Sequence, residues 1–152
     1  MRDAGRFCGW MLAAAIGLLI SSRAAWAELP PSAYANMRDR AGEALRIEVL
    51  KVDGLVRRGP NEESHFTVTA RVVCMARSAS GLTPGATITI SYATVLQRPR
   101  GWAGPGRIGI LEPRVYAAYL DKSGAIYAPA AGGQSFIASQ PDTQPSPAGK
   151  PC

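Results

Sequence analysis

The feature that most constrains the fold is a regular alternation of apolar and polar side chains between residues 66 and 76. One face of this segment carries Phe66, Val68, Ala70, Val72, Cys74 and Ala76. The opposite face carries Thr67, Thr69 and Arg71. A period of two residues indicates a β-strand with one face in the core. The sequence therefore predicts a long, half-buried strand in which Cys74 points towards the core.

Shorter segments of the same kind lie on both sides of this strand. They are residues 45–49, 87–94, 108–110, 115–120 and 126–127. Turn residues separate them, among them Asp53-Gly54 as a turn or bulge and residues 121–124 as a hairpin turn. Five or six short strands joined in this way predict a mainly β fold: a small antiparallel barrel, since closure removes exposed strand edges.

A short helix is predicted before the first strand. Ser32 is a suitable N-cap, and residues 33–44 are rich in good helix formers. Tyr34, Met37 and Ala41 recur at spacings of three and four residues, which places them on one face. We expect this face to dock on the barrel.

The first 27 residues have the three-part layout of a secretory signal peptide. A basic start precedes an unbroken apolar run over residues 11–20, and a small-x-small site follows at Ala25-Trp26-Ala27. The apolar run is shorter than the roughly 20 residues of a membrane-spanning helix. The sequence therefore predicts cleavage after Ala27, a periplasmic or secreted location, no transmembrane segment, and one domain over residues 28–139.

Cleavage would change both the charge and the cysteine count. The sequence has 17 Lys+Arg and 11 Asp+Glu, and residues 1–27 hold three of the former and one of the latter, so the net charge falls from +6 to +4. That excess fits an acidic partner or an ordinary, mildly basic domain. Cys8 leaves with the leader, while Cys74 and Cys152 remain. An even pair in an exported chain predicts a disulfide, with two free thiols as the alternative.

Five segments carry a family resemblance in their order and turn placement: residues 45–50, 72–74, 82–88, 110–113 and 115–120. Over about residues 44–128 the chain resembles the OB-fold of the tissue-inhibitor-of-metalloproteinase and netrin-module group and its exported bacterial relatives. The resemblance implies a barrel. The inhibitors of that group chelate the protease zinc through an N-terminal cysteine, whereas the expected mature N-terminus here is Glu28. The inhibitory mechanism is therefore not carried over.

The candidate binding segment is the Gly/Pro-rich stretch 98–107. It places Arg98, Arg100 and Arg107 around Trp102. An indole ring can stack on a sugar or an aromatic group, and guanidinium groups bind carboxylates and phosphates. Loops of OB barrels often bind ligands. The alternative is that Trp102 folds over the barrel mouth as a lid. Export argues against nucleic acid, the usual partner of this fold.

The sequence supports an enzyme less well. Glu62, Glu63 and His65 could bind a divalent metal, but zinc sites usually take three or four ligands at recognisable spacings, and these residues also suit a solvated loop. Glu112 and Asp121 could form a glycosidase-type pair, and the sequence has no Gly-x-Ser-x-Gly elbow. We expect no catalytic residue, resident metal or cofactor, and keep a metal-dependent or hydrolytic enzyme as an alternative.

Two segments complete the chain. Residues 127–136 predict a covering loop, in which small residues permit close backbone approach, Gly132-Gly133 permits positive φ and Phe136 anchors the loop on the core. Residues 140–152 are rich in proline and polar side chains and predict a disordered tail.

The leading hypothesis is an exported, non-enzymatic OB-like module that contacts a partner protein or an envelope ligand through the arginine–tryptophan loop. A protease-inhibitor-like protein is a further alternative.

Overall fold

The computed structural model describes residues 29–57, 59, 61–98 and 106–139. This part of the chain contains one α-helix, α1, over Pro31–Arg40, and six strands. The strands are β1 (Glu43–Leu55), β2 (Glu63–Ser78), β3 (Thr87–Val95), β4 (Val115–Ser123), β5 (Ile126–Pro129) and β6 (Phe136–Ala138). The predicted leader over residues 1–27, Glu28 and the predicted tail over residues 140–152 lie outside the described residues.

The first five strands form a closed barrel. Their order is β1-β2-β3-β5-β4, and β1 also pairs with β4, which closes the sheet on itself. The β3–β5 pairing is parallel and the others are antiparallel. The short strand β6 adds to β4 beyond the end of β5. The prediction of a mainly β, small OB-like barrel with a short helix is therefore confirmed.

The interior is filled by the alternating apolar side chains of the barrel strands. In β2, Phe66, Val68, Ala70 and Val72 are each at most 3% exposed, as the alternation predicts. Neighbouring strands contribute Ile47, Ile90 and Leu120, which are fully buried. Each such side chain contributes roughly 1.5–3 kcal/mol through burial, so the barrel interior is the main source of stability.

A β-bulge ends the alternation of β2 before Cys74. Ile47 of β1 pairs with Val72, whereas its neighbour Arg46 pairs with Cys74, so Val73 has no partner on β1. An extra residue of this kind reverses which side chains face the core. Met75 consequently packs against the core, and Cys74 is half-buried on the outer face. The prediction that Cys74 points towards the core is wrong.

Cys74 is nevertheless not a free thiol, because it is disulfide-bonded. The alternative of a free Cys74 thiol is therefore wrong. The sequence holds three cysteines, and the other two, Cys8 and Cys152, lie outside the described residues. The pairing of Cys74 with Cys152 stays a prediction.

Helix α1 begins two residues earlier and ends four residues earlier than the predicted range 33–44. Pro30 occupies the N-cap and no side chain caps the helix, so Ser32 is not the cap. A proline in the first turn has the backbone angle that a helix needs and has no N–H to satisfy. Tyr34 is buried and docks as predicted, whereas Met37 is 38% exposed. The helix ends before Ala41 because β1 begins at Glu43.

Two of the predicted local features are wrong. Asp53-Gly54 forms no turn: β1 runs through it to Leu55, and a Cβ on Gly54 would lie 2.3 Å from the Phe66 ring. Glycine is required there because the aromatic ring covers the strand. Residues 108–110 form no strand, although Ile108 is buried.

Two other local features are confirmed. A turn at Gly124, whose φ is +63°, joins β4 to β5 as the predicted hairpin. The covering loop also forms, with a 3-10 turn at Gly132–Gln134. Its anchor is Phe136, whose ring lies 6.2 Å from that of Tyr92 and 6.4 Å from that of Tyr116.

Candidate functional site

Two of the predicted binding residues line one groove. The groove encloses about 320 Å³ beside the adjoining ends of β2 and β3. Arg98 and Arg107 line it together with Glu63 and the backbone at Gly106 and Gly133. We call it the arginine groove. Arg100 and Trp102, the other two predicted binding residues, lie outside the described residues.

A hydrogen bond at the base of the predicted binding segment holds Arg107 in place. The Arg107 guanidinium donates to the carbonyl oxygen of Leu96, which directly follows β3. The bond joins the two sides of the segment, and Arg98 and Arg107 line the same groove although nine positions separate them. Arg98 is half-buried and Arg107 is exposed. The groove therefore presents a solvent-accessible guanidinium beside a more enclosed one.

Close backbone packing forms one wall of the groove. The Gly133 N–H donates to the Gly106 carbonyl oxygen at 3.1 Å, and the Gly106 N–H donates to the Tyr34 hydroxyl at 3.3 Å. A Cβ on Gly133 would lie 2.6 Å from the Gly106 carbonyl carbon and oxygen. The close approach predicted for the small residues of this loop is confirmed at Gly133, the predicted positive φ is confirmed at Gly132 (+50°), and the packing ties the covering loop to the groove.

Buried tyrosines hold the irregular segment that leads away from Arg107. The Tyr92 hydroxyl donates to the Gly109 carbonyl at 3.0 Å and accepts from the Leu111 N–H at 3.4 Å. Burial raises the pKa of Tyr92 above its usual value, because an apolar environment disfavours the phenolate. The Tyr116 hydroxyl accepts from the Glu112 N–H at 3.0 Å. Residues 109–112 are thereby fixed without regular secondary structure.

The electrostatics of the arginine groove favour a negatively charged group. Its described side chains include two guanidinium groups and one carboxylate, that of Glu63. Arginine binds carboxylates and phosphates through a planar fork of N–H donors. The buried Thr94 and the apolar Ile108 also line the groove. Such a lining suits an anionic group attached to an apolar or sugar-like body.

The residues of the predicted metal alternative do not converge. The Glu62 carboxylate accepts a hydrogen bond from the Gly59 N–H at 3.1 Å and so stabilises the loop to which both residues belong. Glu63 lines the arginine groove, and His65 is exposed on β2. Across residues 29–57, 59, 61–98 and 106–139, no group of three or more His, Cys, Asp or Glu side chains is placed to hold a metal ion.

The two carboxylates of the glycosidase alternative also lie apart. Glu112 precedes β4 and lies 3.8 Å from the guanidinium of Arg114, whereas Asp121 is in the second half of β4 and accepts the Gly42 N–H at 2.8 Å. At about 3.3 Å per residue, the strand from Val115 to Asp121 spans roughly 20 Å. A glycosidase pair requires at most about 9.5 Å, so the structure does not bring these two together.

One buried carboxylate was missed by the sequence analysis. Glu43 is 1% exposed at the start of β1, and its Oε1 atom accepts the Ser80 N–H at 2.9 Å. Its Oε2 atom has no hydrogen-bond partner among the described residues. The sequence does contain a signal for this burial, because the alternation of Leu45, Ile47 and Val49 extends back to position 43 and places Glu43 on the same face.

The fold and this groove define the chain as a small, closed, OB-like β-barrel with a basic groove at its strand ends. Comparisons with protein-family models, curated proteins and solved structures found no match for this chain. Within the described ranges, no helix is both long and apolar enough to cross a membrane.

Proposed function

We propose that this protein is an exported, non-enzymatic binding module that holds an anionic group of a partner protein or envelope ligand in the arginine groove. The observation that carries the proposal is the convergence of Arg98 and Arg107 on one groove from opposite ends of the segment that contains Arg100 and Trp102. Export rests on the leader-like first 27 residues.

The chemistry of the groove supports an anionic ligand over a neutral one. Two arginines that line one groove give it a positive charge, and a guanidinium group binds a carboxylate, sulfate or phosphate group through its N–H donors. The net charge of +4 expected after cleavage adds a long-range attraction for acidic partners, which salt screens. Binding should therefore weaken as the salt concentration rises.

Trp102 provides a direct test. The sequence has three tryptophans, and Trp10 and Trp26 belong to the predicted leader. The intrinsic tryptophan fluorescence of the mature protein would then come from Trp102 alone. We expect titration with a sulfated polysaccharide or an acidic peptide to change this fluorescence saturably, with an affinity that falls at high salt. An uncharged polysaccharide is the control and should leave the signal unchanged.

Variants of equal net charge distinguish binding in the arginine groove from a general attraction to a basic protein. Arg98→Ala combined with Arg107→Ala should abolish the fluorescence response. The control combines Arg40→Ala with Lys122→Ala, which removes the same charge from two exposed positions outside the groove, and should retain binding. Equal loss in both double variants would show that net charge, rather than the groove, attracts the ligand.

The same variants guide the search for a natural partner. The mature protein, immobilised and exposed to its own envelope fraction, should retain a partner that the groove variant loses and the control variant keeps. Trp102→Ala with Arg100→Ala should also lose the partner and leave the thermal midpoint nearly unchanged. If that variant unfolds, the loop is a structural lid, and the proposed binding role of the segment fails.

A further inference from the structure

A second groove crosses the outer face of the barrel, away from the arginine groove. It encloses about 280 Å³, and its lining includes Ala44, Arg46, Ala76, Ala117, Tyr119 and Ser139. We call it the outer-face groove. Three alanines make its floor shallow and apolar, and the Tyr119 ring is covered in turn by the guanidinium of Arg38 at 5.7 Å. A groove of this chemistry suits an extended, small-residue, proline-containing peptide.

The sheet register connects this groove to the disulfide-bonded cysteine. Ile137 of β6 pairs with Ala117 of β4, Ala117 pairs with Arg46 of β1, and Arg46 pairs with Cys74 of β2. Directly paired side chains lie on the same face, and Ile137 is 42% exposed on the outside. Three strand spacings of about 4.8 Å place Cys74 roughly 14 Å from Ile137 along this row.

The chain leaves the described residues at the edge of the same groove. Ser139 lines the groove, and its N–H donates to the Val115 carbonyl at 3.1 Å. Cys152 follows thirteen residues later. Thirteen residues can span up to about 43 Å, which is more than the distance of roughly 14 Å between Ile137 and Cys74. Cys152 can therefore reach Cys74. The other cysteine, Cys8, belongs to the predicted leader.

We propose that residues 140–152 occupy the outer-face groove and are locked there by a disulfide between Cys74 and Cys152. The composition of the segment fits the groove, because it contains Pro141, Pro145, Pro147 and Pro151 and two charged residues, Asp142 and Lys150. Prolines lack a backbone N–H, so the segment needs few hydrogen-bond partners. Their rings can pack on alanine and tyrosine side chains. This proposal is independent of the binding function of the arginine groove.

Formation of the bond is a balanced exchange. The Cys152 thiolate attacks one sulfur of a disulfide carrier of the exported compartment and forms a mixed disulfide. The Cys74 thiolate then displaces the carrier, which leaves with two electrons as a dithiol, while the two cysteine thiols lose two protons. The groove would assist this second step because it holds Cys152 beside Cys74.

The first measurement is the cysteine connectivity of the protein exported under its own leader. Peptide mapping by mass spectrometry under non-reducing conditions should recover a peptide from β2 linked to one from residues 140–152. A link between Cys74 and Cys8 would overturn the proposal. A link between two copies, visible as a covalent dimer, would also overturn it.

The second measurement separates docking from mere tethering. The protein is equilibrated with glutathione redox buffers, and the oxidised fraction gives the effective concentration of Cys152 at Cys74. A flexible tail gives a millimolar value, and docking raises it. Ala76→Arg, which obstructs the groove from an exposed position of β2, should lower the value about tenfold. Thr67→Arg, at an exposed position of β2 outside the groove, is the matched control and should leave it unchanged.

Equal effective concentrations in the Ala76→Arg and Thr67→Arg variants would overturn the docking proposal even if the disulfide exists. Circular dichroism of both variants checks that the barrel is intact. If Ala76→Arg fails to fold, Ala117→Arg tests the same groove from β4 and should also lower the effective concentration about tenfold.

Discussion

Gly133 is a position where a single added methyl group should destabilise the fold. A Cβ there would lie 2.6 Å from the Gly106 carbonyl carbon and oxygen and 2.8 Å from the Arg107 carbonyl oxygen. All of these are backbone atoms, so no side chain can rotate away. Gly133→Ala must therefore push the covering loop away from Gly106 and break the 3.1 Å hydrogen bond between them.

The expected loss of stability combines two costs in the folded state with a smaller gain from the unfolded state. Forced overpacking typically costs about 1–3 kcal/mol, and the lost backbone hydrogen bond costs about 1 kcal/mol. The alanine restricts the unfolded chain and returns about 0.4–1 kcal/mol. The net loss is therefore about 1–4 kcal/mol, which lowers the thermal midpoint of a domain of this size by roughly 4–15 °C.

The assay is thermal unfolding followed by circular dichroism, and Gly109→Ala is the matched control. Gly109 lies in the β3–β4 connection, which also contains Gly106, has no heavy atom within 4 Å of an added Cβ, and has no positive φ. That variant should be neutral or stabilised by about 0.5 kcal/mol. A Gly133→Ala midpoint within about 2 °C of wild type would refute the packing argument. The shift of Gly106 should also weaken anion binding at the neighbouring Arg107.

Three further substitutions test the core, the β1–β2 connection and a buried tyrosine. Ile47→Ala, at a fully buried position, should lower the free energy of unfolding by about 2–5 kcal/mol. Ile110→Ala, at a half-exposed position, should change it by less than about 0.5 kcal/mol. Equal denaturant midpoints for the two variants would contradict the assignment of the core. Ser64→Ala removes two hydrogen bonds to the backbone of Arg57 and should cost about 1–2 kcal/mol in urea unfolding, so an unchanged midpoint would argue against that connection. Burial raises the pKa of Tyr92, so the tyrosine loses its hydroxyl proton at a lower pH in the unfolded chain than in the folded one. The contribution of Tyr92 to stability is therefore fully present below about pH 10 and falls as the pH rises through the folded pKa. Tyr92→Phe should lessen this alkaline loss of stability in unfolding measurements, and a pH profile identical to that of the wild type would contradict the argument.

Sequence periodicity was most reliable where burial on one face dictates the pattern. The alternation over residues 66–72 identifies the buried side chains of β2 correctly, because a strand with one face in the core leaves apolar residues few other positions. Composition, rather than periodicity, anticipates the anchoring of Phe136 and the close backbone packing of the small residues in the covering loop.

The failures occur where a neighbouring strand overrides the local pattern. The bulge at Val73 depends on how β1 aligns with β2, and no property of residues 72–75 taken alone announces it. Gly54 resembles a turn residue, but its role is to leave space for the Phe66 ring from the partner strand. Glu43 is a different case: acidic residues at a strand start are usually exposed, but the alternation of β1 places Glu43 on the buried face.

The candidate site was also predictable from the sequence only in part. The sequence identifies Arg98 and Arg107 as basic residues that flank a Gly/Pro-rich segment, and only the fold shows that both line one groove with Glu63. The groove forms because the covering loop packs on Gly106, a contact between residues 27 positions apart. No local signal encodes such a contact.

The sequence by itself determined the mainly β class, the small barrel, the buried face of its longest strand and the basic residues at both ends of the Gly/Pro-rich segment. These follow from side-chain polarity and turn preferences, which act over a few residues. Only the tertiary structure decided the bulge that turns Cys74 outward, the pairing of β1 with β4 that closes the barrel, and the placement of Arg98 and Arg107 along one groove. Each of these depends on contacts between distant strands and loops, and such contacts form only when the whole barrel closes around its core.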